Sequence, residues 1–247
     1  MAWAKPTHLT YWSYSRYSTY KQCPLRAKLM YLDKLPTTKN EAMDRGNEIH
    51  KLAEQFVKGE IKKIPPELAS FSDDFKAVKD LKKKKPHLVS VEDTWAFRSD
   101  WSRTTWDDWQ GCWVRIKLDQ SHIETEPDGS PALIITDVKT GKFSPQWNLD
   151  DYLEQLDLYA LGGLLVWQQL IKDGLKVKPR LLYTDQKVVY PPKDEPKVYT
   201  GADLVPLKNR WEKRVKPMLT DRKFPPKPNN MCKWCDFSKE KGGPCKF

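Results

Sequence analysis

The sequence predicts an α/β fold in which helices come first, a group of strands follows, and helices return. Three observations carry this. Apolar residues in "NEAMDRGNEIHKLAEQFVKGE" (40–60) recur at helical spacing, so Ile49, Leu52, Ala53 and Phe56 make one stripe. The segments "LVSVEDTWAF", "GCWVRIKLDQSHI" and "PALIITDVKT" are short, apolar or alternating, and bounded by turn residues, as strands are. The longest helical pattern, "NLDDYLEQLDLYALGGLLVWQQLI" (148–171), follows the last of them.

Tyr11 to Leu35 reads as helix broken near Pro24, because proline lacks the N–H that a helix interior needs. Asn40 is a candidate N-cap for the 40–60 helix, and 65–85 reads as another helix that ends in the lysine run 82–85. Between the second and third strands lies Asp128-Gly129, a hairpin signal; folding the chain back there sets residue 119 opposite 138, give or take a slip. A further strand, "PRLLYTDQKVVY", and a helix near 202–216 follow. The proline-rich "FPPKPNN" then leads into a cysteine-bearing tail. No internal repeat is present. The expectation is one domain over 1–247, with a helical part at 1–89, a sheet-and-helix core at 90–200, and a helix with the cysteine tail at 201–247.

Composition narrows the function. A chain of 247 residues that is 39% hydrophobic can bury a sizeable core, and a formal charge of +10 favours an anionic partner, of which nucleic acid is the commonest. No apolar run is long enough to span a bilayer, and "MAWAKPTHLTYW" lacks the apolar stretch of a secretory signal, so a cytoplasmic protein without a membrane partner is expected. Five cysteines, an odd count, read as metal ligands or free thiols rather than a disulfide framework.

The chemistry centres on "LIITDVKTGK" (133–142). Residues two apart in a strand share a face, so Asp137 and Lys139 point the same way as Leu133 and Ile135, while Val138 points opposite. The hairpin brings Asp119 beside Asp137. Two carboxylates and a lysine at one strand end have two readings. One is a structural ion pair. The other is a site for Mg²⁺ or Mn²⁺, which take carboxylate oxygens, with the lysine beside the attacking water. His50 sits beside the apolar stripe, where a histidine is either a core residue or a ligand, and Gly46 one turn earlier permits a close approach. Cys232 and Cys235 form C-x-x-C, a pattern of zinc, redox or no chemistry, with Cys245 downstream and Cys23 far upstream. Cys112, on a Trp-flanked strand, reads as a buried bystander.

These motifs resemble the PD-(D/E)XK nuclease superfamily, and more closely its RecB-type exonuclease branch, which includes CRISPR-associated and phage exonucleases. The resemblance rests on "SYSRYSTYKQCPLRAKLMYLDKL", "RGNEIHKLAE" with His50, "VEDTWAF" with Glu92, "WVRIKLD" with Asp119, "ITDVKTGK" with Asp137 and Lys139, and "YLEQLDLYA" with Gln155 and Tyr159, in that order. It implies a restriction-endonuclease-like core, a mixed central sheet flanked by helices, with N-terminal helices and a cysteine-bound C-terminal tail. It further implies that His50, Asp119, Asp137 and the Val138 carbonyl ligate the ion, that Lys139 is the catalytic lysine, and that Gln155 and Tyr159, i and i+4 on one helix face, act on substrate or on Lys139. Glu92 either approaches a second metal or merely begins a strand. For Cys23, Cys232, Cys235 and Cys245 the resemblance implies a [4Fe-4S] cluster; the long interval from Cys235 to Cys245 keeps Zn²⁺ as the alternative.

DNA is the partner this implies, with a helicase, recombinase or integration protein beside it in recombination, repair or replication, in a phage or mobile element. The lysine run 82–85 reads as a solvated helix end. Of the eleven tryptophans, Trp95, Trp101, Trp106, Trp109 and Trp113 cluster around the strands and read mainly as packing, with one or two facing DNA. No G-x-x-x-x-G-K-[ST] appears, so the chain carries no ATP motor of this type. The alternatives are a CRISPR adaptation nuclease that trims DNA before integration and a catalytically inactive DNA-binding module.

Overall fold

A computed structural model describes residues 7 to 38 and 41 to 247. Six α-helices are described: α1 (Tyr14–Gln22), α2 (Pro24–Tyr31), α3 (Glu41–Lys58), α4 (Ser72–Lys84), α5 (Pro145–Val166) and α6 (Leu204–Thr220). The six strands are β1 (Val89–Phe97), β2 (Arg103–Thr104), β3 (Val114–Thr125), β4 (Pro131–Lys139), β5 (Lys176–Tyr183) and β6 (Val188–Tyr190). They form one mixed sheet in the order β2-β1-β3-β4-β5-β6, the restriction-endonuclease-like α/β arrangement that the sequence predicts. The proposed cap at Asn40 lies outside the described residues.

The chain resolves into two compact units, Met1–Lys39 with Ala96–Arg115 and Asn209–Phe247, and Asn40–Trp95 with Ile116–Lys208. In the second unit β4 and β5 are parallel and α5 supplies the crossover between them. Opposite faces of β4 receive different helices. Ile49, Ala53, Phe56 and Val57 of α3, with Phe75 and Val78 of α4, bury against Val138 and Leu182. On the other face α5 comes close enough that a Cβ at Gly163 would stand 2.8 Å from Leu133 and 3.1 Å from Val177. Each large apolar side chain buried in this way contributes about 1.5–3 kcal/mol.

The first unit is held by aromatic packing. Trp12 is fully buried, stacked on Trp211 at 5.1 Å and edge-on to Trp113 at 5.4 Å and Trp101 at 6.5 Å. Proline punctuation works as expected at Pro24, which begins α2 directly after the Cys23 that ends α1.

Several boundaries differ from the sequence reading. The 65–85 segment opens with a 3-10 helix, Pro66–Phe71, before α4, whose last turn carries Lys82, Lys83 and Lys84 against the negative helix end. "PRLLYTDQKVVY" is the end of β5, a turn and β6, antiparallel to one another, rather than a single strand. The hairpin register is 119 opposite 137, one residue from the expected pairing: Gln120 faces Thr136 and Thr125 faces Pro131. The reason is local. Pro127 and Asp128 form the centre of a turn closed by Gly129 N–H to Glu126 O at 2.9 Å, and Gly129 itself takes φ +84°, which adds one residue to the loop.

Candidate active site

β3 and β4 stop pairing just before Asp119 and Asp137. In the parallel ladder Lys139 O accepts the Thr184 N–H at 2.9 Å, so the alternate residue, Val138, turns its N–H and carbonyl toward β3. The Val138 N–H is taken by Asp119 Oδ2 at 2.7 Å. A side-chain carboxylate thus replaces a ladder partner and is drawn to the end of β4.

His50 reaches the same carboxylate from α3, with Nδ1 3.0 Å from Asp119 Oδ1. The close approach expected at Gly46 is made by Thr140, whose Oγ1 would stand 3.2 Å from a Cβ there. Asp137 is 6% exposed. Tyr159 donates its hydroxyl to Asp137 Oδ1, and Gln155 Nε2 donates to that oxygen at 3.4 Å and to the Tyr159 hydroxyl at 2.9 Å. Lys139 Nζ lies 2.7 Å from Asp137 Oδ2, but out of line for a directed hydrogen bond, so this buried oxygen has an ion-pair neighbour and no donor aimed at it.

Glu92 joins the group. His50, Glu92 and Asp119 each offer a ligand atom, and these atoms lie within 4.8 Å of one another. Glu92 gets there through φ +52°, a left-handed conformation in β1 that nothing in "VEDTWAF" announces, and it pairs with Lys117 at 2.7 Å. Lys117 is the neighbour that the sequence reading missed. Gln155 and Tyr159 do share a helix face, but it is turned inward to Asp137 rather than toward Lys139.

The electrostatics follow from burial. Burial and the Asp137 charge push the Asp119 carboxyl above the ordinary carboxylate range, against the pull of His50 and the Val138 N–H. Burial disfavours charge on His50, but the hydrogen bond and charge of Asp119 outweigh it, and its pKa rises. Burial, then the charges of Asp137 and Asp119, raise Tyr159 far above the usual phenol, which keeps it a donor to Asp137.

These residues fit a hard divalent ion. Ligand atoms within 4.8 Å of one another suit an ion that binds oxygen at about 2.0–2.1 Å, and the donor set is carboxylate plus imidazole. Asp137 Oδ2, which has the Lys139 ammonium beside it but takes no directed hydrogen bond, has a lone pair to give.

The cysteines lie in the first unit. Cys23, Cys232, Cys235 and Cys245 line one pocket, with Lys227 N–H directed to Cys23 Sγ at 3.4 Å and Asn229 N–H to Cys232 Sγ at 3.3 Å. Among the described residues the groups of three ligand atoms within 4.8 Å of one another do not include these sulfurs. Cys112 is buried at 8% exposure, away from that pocket.

A mixed sheet whose strand ends gather two aspartates, a histidine and a lysine defines an α/β protein equipped to hold a divalent ion beside a cation. The family model for the PD-(D/E)XK nuclease superfamily matches residues 11–239, and the chain belongs to that superfamily of metal-dependent nucleases, which act on nucleic acid. The comparison with curated proteins found no match. Among solved structures, one described as "Crystal structure of SSO0001" is 13% identical, covers 97% of this chain and 89% of its own, and superposes with a TM-score of 0.37. No helix among the described residues is long and apolar enough to cross a membrane.

Proposed function

We propose that this chain is a Mg²⁺- or Mn²⁺-dependent DNA exonuclease of the RecB-type branch, a single nuclease domain over 1–247 that acts in the cytoplasm in recombination, repair or replication, in a phage setting and beside a helicase, recombinase or integration partner. The observation that carries the nuclease chemistry is the meeting of His50, Asp119, Asp137 and Lys139 at one strand end, with Asp137 Oδ2 free of any aimed donor.

In this reading His50, Asp119, Asp137 and the Val138 carbonyl would hold the ion, with Glu92 as an added ligand. The ion supplies an activated water and a counter-charge for the scissile phosphate. Lys139, whose side chain is 31% exposed, would leave Asp137 to face the phosphate charge and position an attacking water. Gln155 and Tyr159 hold Asp137 in place and exclude water from its far side. The test is degradation of end-labelled linear single- and double-stranded DNA in Mg²⁺, Mn²⁺ or EDTA. Metal-dependent loss of label that disappears in Lys139→Ala supports the reading; a folded, metal-replete wild-type protein that binds DNA without cutting it would sink it.

The cysteine pocket completes the reading as a [4Fe-4S] site. A [4Fe-4S] cluster and a Zn²⁺ each take four thiolates, and Cys23, Cys232, Cys235 and Cys245 line one pocket. Directed N–H groups on two sulfurs suit thiolates. A brown anaerobic preparation absorbing near about 400 nm is expected. Stoichiometric zinc in a colourless protein would replace the cluster with the Zn²⁺ alternative.

A further inference from the structure

Two guanidinium groups in the first unit, Arg16 and Arg115, are packed among aromatic rings with no carboxylate partner among the described residues. Ser13 caps α1 and places Arg16 in its first turn. Arg115 N–H bonds Trp12 O at 2.9 Å, which holds the start of β3 beside Tyr11. Both guanidinium groups consequently stand over one ring, Arg16 at 3.9 Å and Arg115 at 4.7 Å from the Tyr11 centroid. Arg16 also lies 4.5 Å from the Tyr31 ring and donates to the Tyr11 hydroxyl. Arg115 stands 4.8 Å from the Trp109 ring and 5.1 Å from that of Trp106, whose carbonyl accepts one of its N–H groups at 2.9 Å.

Arg115 is only 8% exposed, and its Nε has no acceptor. Buried charges are ordinarily paired with acids, because aromatic faces return only part of what desolvation takes. Here no acid among the described residues pairs with either arginine; Asp108 is engaged by Arg98 and Thr104. Burial, and the like charge of Arg115, lower the Arg16 pKa although Tyr11 and Tyr31 work against it. Beside this uncompensated pair Trp109 is 75% exposed, an apolar ring held out to solvent. A pair of cations lacking an anion, next to an exposed indole, suits a nucleotide unit: guanidinium forks take phosphate oxygens and an indole stacks on a base.

We propose that Arg16 and Arg115 bind a backbone phosphate of a single DNA strand while Trp109 stacks on an adjoining base. The identity of the ligand rests on the nuclease reading; the residues are separate from those that hold the ion.

The test is fluorescence anisotropy of labelled oligothymidylate in EDTA with the full chain, comparing wild type, Arg16→Gln and the surface change Trp109→Ala, each checked for an unchanged melting temperature. Trp109→Ala should bind about tenfold more weakly, the loss of one stacked base. Arg16→Gln should also weaken binding and flatten the plot of log affinity against log salt by about 0.7, one single-strand phosphate contact. Wild-type affinity and slope in both variants would overturn the proposal, as would displacement of the strand by micromolar thymidine monophosphate, which would assign the site to a free nucleotide. Since EDTA stops cleavage, strand binding and nuclease activity are read separately: Mn²⁺-dependent cleavage with unaltered variant binding removes only this site, and weakened variant binding without wild-type cleavage removes only the nuclease.

Discussion

The Val138 N–H bonds Asp119 Oδ2 at 2.7 Å, so one carboxylate both ends a strand pairing and faces the candidate ion site. That double use sets stability against chemistry, since Asp119 is held near a second carboxylate with its pKa pushed up by burial and by Asp137.

Asp119→Asn should therefore separate the two. An amide oxygen can still accept the Val138 N–H, while the repulsion with Asp137 disappears. Without metal the variant should melt at or above the wild-type temperature. Mn²⁺ at about a hundred times its dissociation constant should stabilise the wild type by about 2.7 kcal/mol and the variant by far less. Cleavage should fall by about a hundredfold or more, as when an electrostatic group is removed from a reaction centre. Equal Mn²⁺ stabilisation of both proteins would take Asp119 out of the ligand set.

Tyr159→Phe tests the support beneath Asp137. Losing one donor to a buried carboxylate costs about 1–3 kcal/mol. Gln155 still donates at 3.4 Å, so the protein should fold, with a lower urea midpoint and an unchanged denaturant slope. An unchanged midpoint would mean that the hydroxyl contact contributes nothing.

Asp74 gives a pH signature away from the site. Burial alone would raise its carboxyl, but Lys193 at 2.7 Å and Arg180 at 3.2 Å outweigh it and hold the pKa below the ordinary value. A depressed carboxyl contributes stability that is complete above its unfolded pKa, about 3.9, and is lost as pH falls through the folded value. The stability gap between wild type and Asp74→Asn should be level from about pH 5 to 7 and close below about pH 4. Because the pair is partly solvated, the gap should be under about 1 kcal/mol. Chemical denaturation across that range measures it, and a gap that widens in acid would reverse the assignment.

Much of this was legible in the sequence because strand geometry is periodic. Asp137 and Lys139 had to share a face with Leu133 and Ile135, and the Asp-Gly turn had to bring Asp119 near. The register missed by one because Pro127 starts the turn a residue earlier and Gly129 closes it in the left-handed region. Glu92 was harder to place, since its arrival depends on a left-handed backbone at a residue that rarely adopts it. The β5–β6 turn was hidden for a similar reason: Lys187 takes φ +58° where no glycine or asparagine signals it. Arg115 lies inside the segment "GCWVRIKLDQSHI" and has no signal of its own there, because burial without an acidic partner is a tertiary property.

Gly163→Ala weighs helix propensity against packing. In a helix interior alanine is favoured over glycine by about 0.8–1.0 kcal/mol. At this position the new methyl would stand 2.8 Å from Leu133 Cδ2, 3.1 Å from Val177 Cγ1 and 3.3 Å from Ile135 Cδ1, all buried core side chains of β4 and β5. Overpacking of this kind costs about 1–3 kcal/mol, so it should exceed the propensity gain and leave the variant less stable. Lifting α5 from the sheet would relieve the strain, and α5 also carries Gln155 and Tyr159. Cleavage should therefore fall with stability, and at a temperature where both proteins are fully folded the variant should still cut more slowly. A variant with wild-type stability would show that α5 can rise without cost, and wild-type cleavage by a destabilised variant would show that the hold on Asp137 does not depend on how closely α5 is seated.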